Sequence, residues 1–271
     1  MTNYWFVIKN RVGACALSLL LLFLCMGCGS PQEQAPQEEN PPVQEAGGFV
    51  HTQIPVLYYH AVRLEEGNEL CMPPEQLAEQ LNYLREQGYR SIHLADLYEG
   101  LYAGAGLPEK PIVITFDDGY LDNYENAWPL FQKYGFSATV FVITDAVGTS
   151  GYLTWPQLQT LRDGGWEIAG HTATHPYLTD LSVSALQDEL ARSKKDLEDQ
   201  LGQPVRFLAY PYGAYNAGVM QAVRDSGYQL AVTTERGWAQ QKDSALEMKR
   251  VYCYANMGLA EFERRITRAD Y

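Results

Sequence analysis

The chain has few basic residues for its length. Its 271 residues include 20 lysines and arginines against 33 aspartates and glutamates, and the formal net charge is −13. No window is rich in Lys or Arg, so the positive footprint of a nucleic-acid-binding protein is missing. Apolar residues make up 46% of the sequence and aromatics 12%, which excludes a disordered tail, a collagen or a coiled coil. We therefore expect an acidic, folded protein that does not bind nucleic acid.

Long apolar runs are scarce, and the clearest one lies near the N-terminus. Residues 12–24 are largely apolar and follow two basic residues, as in a secretory signal, and the run is too short for a comfortable membrane span. The next six residues, CMGCGS, resemble a lipobox in which glycine precedes Cys28. We predict a lipoprotein signal peptide over residues 1–27 and membrane anchoring through lipidated Cys28. Plain secretion and an uncleaved anchor are the alternatives, and both also place the domain outside the cytoplasm.

Cysteine is sparse after this segment, where only Cys71 and Cys253 occur. In an exported domain these two could form a disulfide or remain buried thiols, and their spacing is not that of a metal site. Residues 28–50 are rich in Pro, Gln and Glu and have almost no apolar side chains, which predicts a disordered tether. Residues 51–271 show no internal repeat and no second linker, so we expect them to form one domain.

Apolar β-branched runs alternate with helical patterns through this domain. Strands are predicted at residues 54–60, 91–94, 112–116, 138–143, 166–169, 205–209 and 229–233. Helices are predicted around residues 77–84, 123–134, 155–162, 185–201 and 217–226, most of them followed by a glycine. About seven strand–helix units in series predict an α/β fold with a parallel sheet, and that number closes more naturally into a barrel than into an open sheet.

Polar clusters follow three of the predicted strands. Asp117 and Asp118 lie directly after one strand, His171 and His175 come after another, and residues 210–213 (YPYG) come after a third. In α/β barrels the carboxyl ends of the strands converge on one face, where active sites lie. We therefore expect the three clusters to meet in space.

The first two clusters together supply a metal-ligand set. Two histidines four residues apart and one carboxylate are typical of a catalytic zinc site, and His171, His175 and Asp118 would provide them. Each motif alone is weak, because Asp-Asp-Gly is a common turn and histidine pairs at this spacing often lie on a helix face. A bound divalent cation lowers the pKa of water toward about 7, and Asp117 beside it could accept the water's proton. Zinc suits these ligands, and cobalt, nickel or iron could use them too.

Three motifs resemble those of the polysaccharide deacetylases, the NodB-homology or carbohydrate esterase family 4 enzymes. They are TFDDG at residues 115–119, HTATHP at residues 171–176 and YPYG at residues 210–213. The resemblance implies a distorted (β/α)7 barrel that uses a divalent metal to hydrolyse the N-acetyl groups of N-acetylglucosamine polymers.

The same resemblance implies roles for individual residues. Asp117 would be the catalytic base, and the three residues named above would hold the metal. Tyr210 and Pro211 would line the substrate groove. The backbone N–H of Tyr212 would donate to the oxyanion of the tetrahedral intermediate, which needs such a donor opposite the metal.

Two departures from the family pattern concern the base and the acid. Many members have an arginine two places before the proline of the third motif, where it tethers the base, and this chain has Ala209 there. Arg250 is a better substitute than Arg206, which would point the other way on a strand, and we count Arg250 among the residues of the substrate groove. Many members also have a late histidine that protonates the leaving amine, whereas no histidine follows His175 here.

His60, at the end of the first predicted strand, is the candidate for that acid. It could equally be a packing residue, and Asp117 could return the proton instead. Trp238 could stack on a sugar or form a wall for the acetyl methyl group, or it could simply pack in the core.

Residues 54–60 and the YPYG motif further resemble the branch that includes the poly-β-1,6-N-acetylglucosamine deacetylases. We expect a lipid-anchored or secreted enzyme that removes N-acetyl groups from such a polysaccharide at the cell surface and releases acetate. Peptidoglycan or O-acetylated xylan as substrate, and a non-catalytic glycan-binding lipoprotein on the same fold, are the alternatives.

Overall fold

The computed structural model describes residues 48–271. The predicted signal over residues 1–27, the lipidated Cys28 and the tether up to residue 47 lie outside the described residues. The described residues belong to one compact unit. Within them, no helix combines the length and apolar character needed to span a membrane.

The described part of the chain contains short strands that alternate with helices. The strands are β1 (Gln53–Ile54), β2 (Val56–Tyr59), β3 (Arg90–Ser91), β4 (Pro111–Phe116), β5 (Thr139–Val142), β6 (Glu167–Gly170), β7 (Phe207–Ala209), β8 (Leu230–Arg236), β9 (Ala239–Gln240) and β10 (Met248–Tyr252). The helices are α1 (Pro74–Glu86), α2 (Leu94–Tyr102), α3 (Trp128–Tyr134), α4 (Trp155–Asp163), α5 (Val183–Leu201), α6 (Ala217–Asp225) and α7 (Leu259–Thr267). A π-helical turn, Asn123–Ala127, precedes α3.

Seven parallel strands form a closed barrel, which confirms the predicted fold. Going around the barrel, β2 pairs with β4, followed by β5, β6, β7, β8 and β10, and β10 pairs again with β2. The short β3 adds only to the first residues of β4, and β1 and β9 form a separate antiparallel pair.

The alternation of side chains along each strand divides the core into two layers. In β4, Ile112, Ile114 and Phe116 pack in the larger cluster with residues of the helices, while Val113 points into the other cluster with residues of the barrel interior. This is the two-residue period expected of a strand covered on both faces. The next residue on the inward side after Thr115 is Asp117, so the strand itself delivers that carboxylate to the end of the barrel.

One predicted strand is wrong. Strand structure over residues 91–94 is limited to Arg90–Ser91, and α2 begins at Leu94. The N–H of His93 donates to the Asp96 carboxylate (3.0 Å), and the N–H of Leu94 donates to Glu167 (3.0 Å), so side chains satisfy the first donors of this helix. The seventh barrel strand is instead β10, which the sequence analysis missed together with α2 and α7.

Candidate active site and metal centre

A cavity of about 460 Å³ opens at the carboxyl ends of the barrel strands. Seven of the predicted site residues line it: His60, Asp117, Asp118, His171, His175, Tyr210 and Tyr212. The three motifs therefore meet in space, as their positions after three strands predict.

Backbone hydrogen bonds continue the sheet into the motifs and fix where they begin. The N–H of Asp117 donates to the carbonyl of Tyr59 (2.9 Å), and the N–H of His171 donates to that of Val142 (2.9 Å). Asp117 and His171 thus still pair with the neighbouring strand, which limits the positions that their side chains can take.

Asp118, His171 and His175 form a compact cluster of three potential ligands. The Nε2 atoms of the two histidines are 3.2 Å apart, and they lie 3.3 and 3.6 Å from one oxygen of Asp118. The backbone of Asp118 and His175 has positive φ angles of 73° and 62°, a region that non-glycine residues seldom adopt outside functional sites.

The chemistry of this donor set fits a divalent cation. His171 is almost fully buried, and its Nδ1 lies 2.8 Å from the carbonyl of Ala209, where an N–H must donate. When the ring is neutral, as metal binding requires, its Nε2 carries a lone pair directed at the cluster. Two imidazole nitrogens and one carboxylate oxygen leave coordination positions open, as in catalytic zinc sites.

Charge and burial oppose each other within the cluster. Burial would raise the pKa of Asp118, but the hydrogen bond and charge of His171 outweigh it and keep the pKa below its usual value. For His175, burial and the neighbouring His171 lower the pKa to about 4. His175 is therefore neutral at pH 7 and available as a ligand.

The second carboxylate, Asp117, forms a buried bidentate ion pair with Arg250. The two Nη atoms donate to the two carboxylate oxygens at 2.8 and 2.7 Å, and the Arg250 side chain is fully inaccessible to solvent. Burial would raise the pKa of Asp117, but the charge of Arg250 and its hydrogen bonds reverse that effect and hold the pKa below its ordinary value. The carboxylate is thus ionised while one side of it faces the cavity.

Arg250 is itself held from several sides. Its Nε donates to the carbonyl of Thr233 (2.8 Å), Nη1 also donates to the hydroxyl of Thr115 (3.1 Å), and the guanidinium lies 4.2 Å from the ring centre of Tyr58. The expected contact with Asp117 is therefore present. Counting Arg250 among the substrate-groove residues is wrong, because its buried side chain does not reach the cavity surface.

His60 lines the same cavity next to these carboxylates. Its Nδ1 is buried and makes no hydrogen bond with any of residues 48–271. The ring is packed edge-on against Tyr58 and Tyr252, with ring centres 5.9 and 6.4 Å away. Burial lowers the pKa of His60, although the charges of Asp117 and Asp118 act in the opposite direction.

The third motif contributes one buried and one exposed tyrosine. Tyr210 donates to the carbonyl of Leu246 (3.1 Å) and lines the cavity, whereas Pro211 is buried and does not line it, contrary to the prediction. Tyr212 has a φ of 59°, and within residues 48–271 its N–H has no hydrogen-bond acceptor. That amide is free to meet a ligand.

Trp238 does not line the cavity. Its indole N–H donates to the carbonyl of Arg265 (2.8 Å) in α7, and the ring packs against the core. The role of a sugar platform or methyl wall is thus not supported, and core packing is what the structure shows.

The thiols of Cys71 and Cys253 are both buried and unpaired, which rules out the disulfide alternative in this structure.

Several residues of the cavity were not singled out from the sequence. All but Thr234 are aromatic or apolar: Tyr58, Leu70, Tyr120, Ile143, Tyr152 and Tyr252. Tyr120 directly follows the first motif and could have been found from it. Tyr58 belongs to the segment 54–60 that resembles the family branch, and the others carry no motif of their own.

The comparisons with known proteins agree with this geometry. A family model described as polysaccharide deacetylase matches residues 104–231. YxkH of Bacillus subtilis (strain 168), which is classed with the polysaccharide deacetylases, is 33% identical over 210 residues, covering 78% of this chain and 75% of that protein. The poly-β-1,6-N-acetyl-D-glucosamine N-deacetylase of Escherichia coli (strain K12) is 24% identical, and the alignment covers 95% of this chain and 45% of that protein. This chain thus spans about half the length of that relative.

A solved structure is also similar over most of the chain. It is that of the Streptococcus pyogenes deacetylase PplD in complex with acetate, with a TM-score of 0.76 and 30% sequence identity. The similarity covers 79% of this chain and 98% of that one.

Proposed function

The chain belongs to the polysaccharide deacetylase family of enzymes, and from that premise we propose that it hydrolyses N-acetyl groups of an N-acetylglucosamine-containing polysaccharide. The observation that carries this proposal is a single cavity that holds a three-ligand cluster next to an ionised, arginine-bound carboxylate. The names of the relatives support it, because one is a deacetylase of poly-β-1,6-N-acetylglucosamine and another was solved with acetate.

We assign the metal to Asp118, His171 and His175 and expect zinc to be the native ion. When bound, such a cation would polarise the acetyl carbonyl and make the attacking water more acidic. Cobalt, nickel and iron can use the same donors, so loading with each ion is part of the test.

Asp117 is the proposed general base. One of its oxygens would accept a proton from the attacking water, while the bidentate contact with Arg250 keeps the carboxylate ionised and fixed in orientation. Attack places a negative charge on the former carbonyl oxygen. Tyr212 lines the same cavity, and its free N–H would donate to that oxyanion.

His60 is the proposed general acid. Collapse of the tetrahedral intermediate breaks the carbon–nitrogen bond, and the leaving nitrogen must gain a proton to become a free amine. His60 lines the cavity and would supply it from its protonated imidazolium form, and in the alternative Asp117 returns the proton that it took from water. The products are acetate and the deacetylated sugar.

We further propose that the protein acts at the cell surface, anchored through lipidated Cys28. The support is the apolar run and the CMGCGS sequence near the N-terminus. Full-length chain should fractionate with membranes and Cys28→Ala should not, and an unchanged distribution of Cys28→Ala would contradict lipid anchoring.

Acetate release by the full-length chain tests the activity. The protein, stripped of metal and reloaded with zinc or cobalt, is incubated with β-1,6- and β-1,4-linked N-acetylglucosamine oligomers, with peptidoglycan fragments and with O-acetylated xylan. We expect metal-dependent release from the β-1,6 oligomers, which Asp117→Asn lacks although it still binds metal. Binding of oligomers without acetate release by metal-loaded protein would favour the non-catalytic glycan-binding function instead.

A further inference from the structure

A buried asparagine next to the first motif contacts the residue proposed as the general acid. Asn123 is fully buried at the start of the π-helical turn, and its side-chain amide donates to the backbone carbonyl of His60 (2.8 Å). The same amide donates to Asp122 (3.2 Å), so the orientation of the Asn123 side chain is itself fixed.

Neighbouring side chains on the same turn hold the residues just after His60. Asp122 accepts from the N–H of Val62 (2.9 Å), and Asn126 donates to the carbonyl of Val62 (2.7 Å). A second oxygen of Asp122 accepts from Arg63 (2.8 Å). Asp122, Asn123 and Asn126, which we call the clamp, therefore hold residues 60–63 at three backbone atoms and one side chain.

The clamp coincides with an unusual local helix. π-Helical turns are rare and are frequently found at functional sites. Here the side chains of all three clamp residues contact the backbone of His60 and Val62. The turn begins a few residues after Asp117 and Asp118. The same segment that supplies the proposed base and one metal ligand thus also fixes the backbone that carries His60.

His60 needs such support because its ring has little polar restraint of its own. Its Nδ1 makes no hydrogen bond with residues 48–271, and the ring contacts are edge-on contacts with Tyr58 and Tyr252. A displacement of about 1 Å in a reacting group can cost about 100-fold in rate. The backbone hydrogen bond from Asn123 is therefore in a position to set the distance between His60 and the substrate nitrogen.

We propose that Asn123 is a positioning residue that acts through His60; this rests on the proposed function. The test is a double-mutant cycle in the zinc-loaded full-length chain on a β-1,6-linked oligomer. Asn123→Leu keeps the volume and removes the amide, and His60→Gln removes the acid. Asn123→Ala is a second variant in case the leucine does not fit. Tyr102→Phe, which removes another donor to a backbone carbonyl (Asp243, 2.9 Å) outside the cavity, is the matched control.

We expect Asn123→Leu to lower kcat by about 10-fold to 100-fold with KM within about twofold. In the His60→Gln background, the same substitution should change kcat by less than about twofold, because the residue it positions is gone. Zinc stoichiometry should stay at that of the unsubstituted chain, and Tyr102→Phe should keep its kcat. Equal losses in both backgrounds would overturn the positioning role, since a general structural defect acts independently of His60. Absence of acetate release by the unsubstituted chain would instead overturn the proposed function.

A separate observation concerns the rim of the cavity. Tyr177 and Tyr212 are about half exposed, with 50% and 53% of their surface accessible, and their rings stack with centres 4.0 Å apart and planes at 14°. Tyr212 lines the cavity and packs against the ring of the metal ligand His175 at 4.6 Å, whereas Tyr177 lies outside the cavity lining. The stacked pair therefore extends from the metal site onto the surface.

We infer that this pair binds the sugar ring adjacent to the one that is deacetylated. A stacked, half-exposed aromatic pair beside a cavity is typical of a ligand-binding surface, and the C–H-bearing face of a pyranose packs well on an aromatic ring. This inference also rests on the proposed function, since a single sugar would leave Tyr177 unused.

Dependence on chain length tests the rim site. Tyr177→Ala should lower kcat/KM about 10-fold on a pentamer and leave the rate on an acetylated monosaccharide within twofold, while Tyr177→Phe keeps both. Tyr98→Ala, an aromatic removal on α2, is the control and should change neither. An equal loss on short and long substrates would show that Tyr177 only braces Tyr212, and an unchanged pentamer rate would show that the surface is not used. A protein that deacetylates no oligomer would refute the proposed function itself.

Discussion

The ion pair between Arg250 and Asp117 should dominate the response of this domain to substitution. Arg250→Met keeps an unbranched side chain of similar length and removes the guanidinium. The substitution abolishes both hydrogen bonds to Asp117 and those to Thr233 and Thr115. The Asp117 carboxylate, whose side chain is only 4% exposed, then lacks its guanidinium partner.

The expected loss is large compared with the stability of a typical domain. Removing one partner of a buried ion pair costs about 3–5 kcal/mol, because the other charge remains desolvated. Natural domains have unfolding free energies of about 5–15 kcal/mol, so the variant would keep at most a modest margin. The double variant Arg250→Met with Asp117→Asn should recover at least about half of the loss, since no unpaired charge remains. Arg250→Lys should lack deacetylase activity although it keeps a positive charge, because an ammonium cannot make the bidentate contact with Asp117.

Urea unfolding followed by tryptophan fluorescence measures these differences, with metal removed from every variant by chelation. Arg192→Met, which breaks an exposed pair with Asp145, is the matched control and should change the unfolding free energy by less than about 1 kcal/mol. If Arg250→Met loses less than about 1 kcal/mol, or if the double variant is less stable than Arg250→Met, the reasoning about an uncompensated buried charge is refuted.

Three further predictions follow from the site and its surroundings. Chelation should lower the Tm of the full-length chain, and zinc should restore it in a concentration-dependent way, because an ion that binds only the folded state stabilises it; a Tm that does not respond to zinc would contradict the metal site. Trp238→Phe should cost about 1 kcal/mol in thermal unfolding through loss of the hydrogen bond to Arg265, with KM unchanged, and a raised KM would return this residue to the substrate site. Alkylation of unfolded, unreduced protein should label both Cys71 and Cys253, and protection of the pair from alkylation would reveal a disulfide.

The position of the catalytic motifs could be predicted because it depends on topology. A motif that directly follows a buried parallel strand must lie at the carboxyl face, and Asp117, Asp118, His171 and His175 all do. What could not be predicted is which strand closes the barrel. In β10, Lys249 and Arg250 interrupt the apolar run, so the pattern hides a buried strand even though Arg250 was the expected partner of Asp117.

The surroundings of a side chain could not be predicted where its neighbours lie on helices or strands that were themselves not predicted. Trp238 packs on α7, a helix that was not predicted although Leu259, Phe262 and Ile266 form one apolar face, so core packing could be given only as an alternative. The segment at residues 91–94 looks like a strand because of Ile92 and Leu94. Its helical start depends on Glu167, a residue from another strand that satisfies the N–H of Leu94.

The closure of the barrel by β10 has a consequence for the order of folding. Until β10 inserts, β2 and β8 each present an open edge that can pair with another chain, and Asp117 lies in a half-formed interior without its cation. The ion pair that closes this interior joins residues 133 positions apart in sequence, so its formation requires the closure of a long loop. We therefore expect aggregation during refolding to depend on how long the edges of β2 and β8 stay unpaired rather than on the stability of the finished barrel.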